Sequence, residues 1–238
     1  MLTDNEQKQT VARFAIDSLI SENLLHSNMK IGLGTGSTAC KAIEEISLHI
    51  KSGKLKNIIA VSTSFQTTLL CETLNIPVYS LNSQLIGGKL DFTIDGADEI
   101  DYDSNLTKGG GAALLLEKIL AYNSERYYII CTEKKQVQHL GITFPLPIEI
   151  IPEARTSIIS ELALLDAKAT LREGIKKMGP IVTDNGNFIL DAVFSKPVSP
   201  PVIEETLKQI PGVVEVGFFT KKKPRIFLTN EQGMCSSR

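Results

Sequence analysis

The spacing of apolar positions changes period several times along the first half of the chain. Asp4 can cap a helix that carries Val11, Phe14, Ala15, Leu19 and Ile20 on one side. Short apolar runs at 29–33, 57–62, 76–81, 89–95 and 126–132 have the length and composition of strands. Helical patterns separate them. One follows a Gly-rich turn through "ACKAIEEISLHI", one is opened by Ser62 or Ser64 and runs to Asn75, and one over 111–124 is apolar nearly all round. Strand and helix alternating with short connections predict an α/β domain, a mostly parallel sheet flanked by helices. Ligands bind such sheets beyond the carboxyl ends of the strands. The turns at 34–38 and 62–64 and the acidic stretch at 95–101 all fall there.

The texture changes at "FPLPIEIIP" (144–152), where three prolines in nine residues mark a boundary. Beyond it the pattern predicts a helix over 155–165 and a hairpin over 180–194 turning at Asn185-Gly186. A proline-started helix over 200–210 and a strand over 212–219 follow. These make a smaller α+β domain. A last strand, 225–230, returns to the large sheet. The expected division is 1–143 with 224–238, and 144–223.

Composition narrows the function classes. A net charge of −2 leaves no basic excess for nucleic acid. The run Lys221–Lys223 with Arg225 reads as a solvated loop. Cys40, Cys71, Cys131 and Cys235 are far apart and form no C-x-x-C pair, so reduced, buried thiols are expected rather than disulfides or zinc. The polar amino-terminal segment has no signal-peptide core, and no apolar run reaches membrane-spanning length. A cytoplasmic location is expected.

Four stretches carry candidate chemistry. "GLGTGSTA" (32–39) joins a strand to a helix, where backbone N–H groups of a Gly-rich turn can hold an anion and Ser37 and Thr38 add hydroxyls. It is no dinucleotide fingerprint, because Ser37 stands where a glycine is required, and no P-loop, because the lysine is missing. It reads either as a phosphate site or as a tight turn with a Ser/Thr cap. "DGADEID" (95–101) packs Asp95, Asp98, Glu99 and Asp101 into seven residues. As a calcium loop starting at Glu99 it fails at Ser104 and Gly110; magnesium stays open. It is a solvated turn or a site whose small residues Gly96 and Ala97 leave room for a ligand. In "KGGGAALLLEK" (108–118), Lys108 precedes three glycines, and Glu117 is placed two turns into the helix, on one face with Ala113 and Gly110. It either lines a cavity as a general base or tips a solvated Glu117–Lys118 corner. Lys134 and Lys135 follow a strand end, facing the ligand edge or simply solvated. Together these stretches fit a small phosphorylated molecule undergoing proton transfer.

"GTGST" (34–38), "DGADE" (95–99), "KGGGAAL" (108–114) followed by Glu117-Lys118-Ile119, and "VTDNGN" (182–187) resemble the A-type ribose-5-phosphate isomerases, in order along nearly the whole chain. The resemblance implies a Rossmann-like core with a smaller α+β domain, assembled as a homodimer or homotetramer. It implies interconversion of D-ribose 5-phosphate and D-ribulose 5-phosphate in the pentose phosphate pathway, with no metal and no cofactor. By matching positions, Glu117 corresponds to the family's proton acceptor. Thr35, Gly36, Ser37 and Thr38; Asp95, Gly96, Ala97 and Asp98; Lys108, Gly109, Gly110 and Gly111; and Lys135 correspond to its substrate-binding segments. Lys108 would stabilise an enediolate, and Asp95 or Asp98 would move hydroxyl protons. Glu99 and Asp101 are expected to be solvated or structural. Two positions depart from the family's habit: Leu116 stands where a basic residue is common, and Thr107 where an aliphatic one is. Rival readings are an amino-sugar phosphate deaminase and a sugar-phosphate sensor; the second lacks a DNA-reading module, since one non-basic helix precedes the first strand.

Overall fold

The computed structural model describes all residues 1–238, and the chain divides into two compact units. The first comprises Met1–Gly96, Leu116–Lys134 and Pro224–Arg238; the second comprises Ala97–Leu115 and Lys135–Lys223.

The first unit is built on a six-stranded sheet. Strands β1 (Lys30–Leu33), β2 (Ile59–Ser62), β3 (Leu90–Asp95), β6 (Ser124–Thr132), β12 (Arg225–Thr229) and β13 (Cys235–Ser237) lie in the order β13-β12-β6-β3-β1-β2. All neighbours are parallel except the β13 edge. The apolar runs at 29–33, 57–62, 89–95 and 225–230 thus become strands of one Rossmann-like sheet. Helices α1 (Asp4–Ser21), α2 (Ser37–Lys51), α3 (Phe65–Leu74) and α4 (Leu114–Tyr122) accompany it. Val11, Ala15, Ile16 and Leu19 of α1 join Ala42, Ile43 and Ile46 of α2 and strand residues such as Ile31, Phe92, Ile130 and Phe227 in one core.

The second unit holds two antiparallel sheets. One has the order β10-β7-β9-β8, from β7 (Leu146–Ile150), β8 (Ala167–Leu171), β9 (Phe188–Phe194) and β10 (Val213–Val216). The other is β11-β5-β4, from β4 (Glu99–Ile100), β5 (Leu106–Thr107) and β11 (Phe218–Phe219). Helices α5 (Arg155–Leu164) and α6 (Pro200–Lys208) pack Ile158, Leu162, Ile203 and Leu207 onto the larger sheet.

Several elements differ from expectation for identifiable reasons. The cap of α1 is Thr3, not Asp4: Thr3 Oγ1 accepts from the Glu6 amide and Glu6 Oε2 accepts from the Thr3 amide, a capping box. Of the two serines offered for α3, Ser64 is the cap. Residues 76–81 form only a single bridge, Val78 to Ala60, because Pro77 brings no N–H to the ladder. The hairpin turn at Asn185-Gly186 exists, closed by the Thr183 amide on the Asn187 carbonyl at 2.9 Å. Its first arm is not a strand, since both edges of β9 are already taken by β7 and β8.

The expected strand 212–219 divides between two sheets at Gly217. A Cβ there would lie 2.5 Å from the Lys108 carbonyl oxygen and 2.8 Å from that of Pro147. The boundary segment 144–152 contains a full strand, β7, despite its prolines, and the alternating run 167–171 is an additional strand, β8. Helix α4 begins at Leu114 because Ala112 adopts a left-handed φ of 59°. None of the four cysteines is in a disulfide, and only Cys71 and Cys131 are buried; Cys40 and Cys235 are partly exposed. No helix is long and apolar enough to cross a membrane.

Candidate active site

In the first unit, the sheet order places β1 beside β3 at the point where the strand sequence reverses. In open α/β sheets that switch point is where ligands bind. The turn after β1 and the carboxylate that ends β3 meet there. Asp95 is fully buried, and its Oδ1 accepts the Gly96 amide at 2.7 Å and the Thr35 amide at 3.2 Å. Gly34 is required for this approach: a Cβ at Gly34 would fall 2.0 Å from the Asp95 carboxyl carbon. Gly36, at φ 95°, turns the chain into α2 and leaves the start of the helix without a side-chain cap. The first-turn amides of α2 therefore receive no side-chain acceptor from the cap, and Ser37 and Thr38 open the helix, an arrangement suited to an anion. The Cβ position of Gly96 lies 3.9 Å from Thr38.

A cluster of hydroxyls supports this turn. Thr35 Oγ1 lies 2.7 Å from Thr63 Oγ1 and 2.6 Å from Ser64 Oγ, while Thr67 Oγ1 donates to the Gly34 carbonyl at 2.7 Å. The Gly36 amide donates to Gln66 Oε1 at 3.2 Å. Thr63, Gln66 and Thr67 were not among the expected site residues. The "STS" turn at a strand end was the only sequence signal for them.

Glu117 and Lys118 are both buried, each 5% exposed, so the solvated-corner alternative falls. Glu117 sits in the first turn of α4, not two turns in. Gly110 and Ala113 precede the helix. A carboxylate in the first turn is favoured by the positive end of the helix dipole. Lys134 is turned toward α1, with its Nζ 3.5 Å from Asp4, and so is not held as a ligand-edge cation.

In the second unit, the glycine run and Asp98 form a compact group. The Asp98 amide donates to the Thr107 carbonyl at 2.9 Å, and the Gly110 amide donates to Asp98 Oδ2 at 2.8 Å. A Cβ at Gly110 would lie 2.6 Å from Asp98 Oδ1. Gly109 has φ 106°, a conformation that suits glycine. Lys108 is buried, with its Nζ 5.7 Å above the Phe219 ring and its amide donating to the Gly217 carbonyl at 2.8 Å. Arg172 Nη1 donates to the carbonyls of Gly109 and Gly110 at 2.8 and 3.0 Å. No sequence motif pointed to Arg172. Lys135 ends a single 3-10 turn, Glu133–Lys135, and is half-buried.

The remaining acids of the 95–101 stretch are structural. Glu99 is buried and accepts from Thr107 Oγ1, the Gly141 amide, Thr143 Oγ1 and the Phe144 amide. Asp101 accepts from the backbone and side chain of Asn105, each at 2.7 Å. No group of three or more His, Cys, Asp or Glu side chains is placed to hold a metal ion.

A family model for ribose 5-phosphate isomerase A (phosphoriboisomerase A) matches residues 59–233. The chain is 57% identical over 231 residues to ribose-5-phosphate isomerase A of Treponema denticola, covering 96% of this chain and 97% of the relative. It is 40% identical over 229 residues to the protein of the same name from Pyrococcus horikoshii, covering 96% of each. Among solved structures, a D-ribose-5-phosphate isomerase in complex with phospho-erythronic acid superposes with a TM-score of 0.92 at 39% identity, covering all of both chains. Ribose 5-phosphate isomerase A of Methanocaldococcus jannaschii gives 0.88 at 34% identity, covering 99% of this chain and 100% of that one. Sequence and structure agree from end to end: the chain belongs to the ribose 5-phosphate isomerase A family.

Proposed function

We propose that the chain carries out its family's interconversion of D-ribose 5-phosphate and D-ribulose 5-phosphate with Glu117 as the general base. The observation that carries this reading is the burial of the Glu117 carboxylate in the first turn of α4. A buried carboxylate is removed from competing water and suited to taking a proton from carbon. Glu117 removes the proton from C2 of the open-chain aldose and returns it to C1, while the O2 proton moves to O1. The intermediate is an enediolate. Lys108 and the amides of Gly109 and Gly111 stabilise its negative oxygen in the manner of an oxyanion hole, while the Gly110 amide stays on Asp98. Asp95 and Asp98 carry the hydroxyl protons or assist ring opening. Thr35, Gly36, Ser37 and Thr38 hold the phosphate at the N-terminus of α2, with Lys135 supplying charge. Gly96 and Ala97 leave space for the sugar. The phospho-erythronic acid bound by a solved relative supports the reading, since its carboxylate beside a phosphorylated polyol chain has the charge pattern of an enediolate. The proposed assembly is a homodimer or homotetramer.

The test is ketose formation from D-ribose 5-phosphate in EDTA, wild type against Glu117→Gln. The expected result is metal-independent turnover by wild type and a loss of at least about a hundredfold in kcat by the variant, with substrate binding kept. An equally active variant would return Glu117 to a structural role and move the base to Asp95 or Asp98.

A further inference from the structure

We infer that Arg172 and Asp191 are positioning residues of the isomerase reaction: they orient and polarise the peptide groups of the glycine run. Three consecutive glycines have wide conformational freedom, so a run of them presents amides in one direction only when something outside the run holds it. The guanidinium of Arg172 does this. Its Nη1 donates to the Gly109 carbonyl at 2.8 Å and to the Gly110 carbonyl at 3.0 Å. The rest of the fork is gripped by Asp191 on β9, which accepts from Nε at 2.8 Å and from Nη2 at 2.5 Å. The pair is largely buried, at 15% and 20% exposure, so the geometry is locked rather than loosely solvated.

Peptide planarity carries the effect across the run. In a trans peptide the carbonyl and the following N–H point in opposite directions. Fixing the Gly109 carbonyl on Arg172 therefore aims the Gly110 amide away from the arginine, and that amide is the one bound to Asp98 Oδ2 at 2.8 Å. Fixing the Gly110 carbonyl aims the Gly111 amide in the same way. A cation on the carbonyl side also strengthens each N–H as a donor, because hydrogen bonds in a chain polarise one another. The arginine thus sets both the position of Asp98, through the Gly110 amide, and the strength of the Gly111 amide offered to a developing oxyanion. Lysine cannot replace it, because one ammonium lacks the planar fork that serves two carbonyls and a carboxylate together.

This inference rests on the reading that the Lys108–Gly111 segment stabilises the enediolate, and the experiment separates the two. Arg172→Met, Arg172→Lys, Asp191→Asn and Lys108→Met would be compared for kcat, KM, melting temperature and affinity for phospho-erythronate. For the arginine and aspartate variants the expected result is a fall in kcat of at least about tenfold, short of the hundredfold or more for a donor removed outright. KM should stay within about twofold, and phospho-erythronate affinity should fall in step with kcat, as for contacts made in the transition state. Arg172→Lys should not rescue. Asp191→Asn, close in shape, keeps the test valid if Arg172→Met folds poorly. Unchanged kcat and inhibitor affinity in Asp191→Asn and Arg172→Lys, with Lys108→Met impaired, would overturn the clamp alone. Wild-type rate in Lys108→Met would overturn the parent reading. A fall in melting temperature without loss of inhibitor affinity would assign the pair to stability.

Discussion

At the scale of single residues, the acidic stretch 95–101 resolves into separate tasks. Asp95 is held by two amides, Asp98 by the Gly110 amide, Glu99 by four donors, and Asp101 by Asn105. Crowded carboxylates are tolerated because each has its own set of N–H and O–H donors. The sequence shows their spacing but not which donors reach them, since Thr143 and Gly141 lie more than forty residues beyond Glu99. Gly34 gives a sharp test. Gly34→Ala drives a methyl into the Asp95 carboxyl group, so the carboxylate must move. The expected cost is about 1–3 kcal/mol of stability, as for overpacking elsewhere. In a chain of this size that is a fall in melting temperature on the order of 2–10 °C. A drop in kcat should accompany it. Calorimetry and the isomerase assay check both, and full activity with an unchanged melting temperature would mean that Asp95 is not held as described.

Among the elements, α1 shows how ends are secured. Its first turn is capped by Thr3 and Glu6, and Asp4 is paired with Lys8 at 2.5 Å. Glu22, at its C-cap, would oppose the helix dipole, but Arg225 on β12 meets it with two hydrogen bonds. The Lys8 hydrogen bond holds the Asp4 carboxyl below its usual range, and the Arg225 hydrogen bonds do the same for Glu22. A lowered carboxylate pKa contributes stability above the ordinary carboxylate range, and that contribution is lost as pH falls through the lowered value. The window lies below about pH 4. The effect is modest, because both groups are solvent-screened. Glu22→Gln should therefore melt slightly below wild type at pH 7 and converge with it as pH falls below the ordinary carboxylate range. A gap that stays constant across this range would show that the ion pair does not contribute. Other elements were less legible. A run of apolar residues at 212–219 has the period of one strand, yet the backbone approach at Gly217 sends its two halves to different sheets.

For the whole molecule, each compact unit contains complete sheets of its own, and family membership is established over nearly the full length. The proposed homodimer or homotetramer is checked by sedimentation velocity across a concentration series. Species of two or four chains are expected, and a monomer at every concentration would refute the proposal. The alternation of strands and helices in the first half is legible in the sequence, because a period of two or 3.6 is a local property of the chain. The sequence also placed the Gly-rich turn and Asp95 at strand ends and the glycine run before a buried helix, and its motifs carried the resemblance to the family. The order β2-β1-β3-β6-β12, which sets the Gly34–Thr35 turn against Asp95, is fixed by long-range packing instead. Long-range packing likewise brought Arg172, gripped by Asp191, onto the carbonyls of a run some sixty residues earlier. Such contacts join residues whose separation has no period, so no local pattern announces them; they are selected by packing and by the need of every buried polar group for a partner.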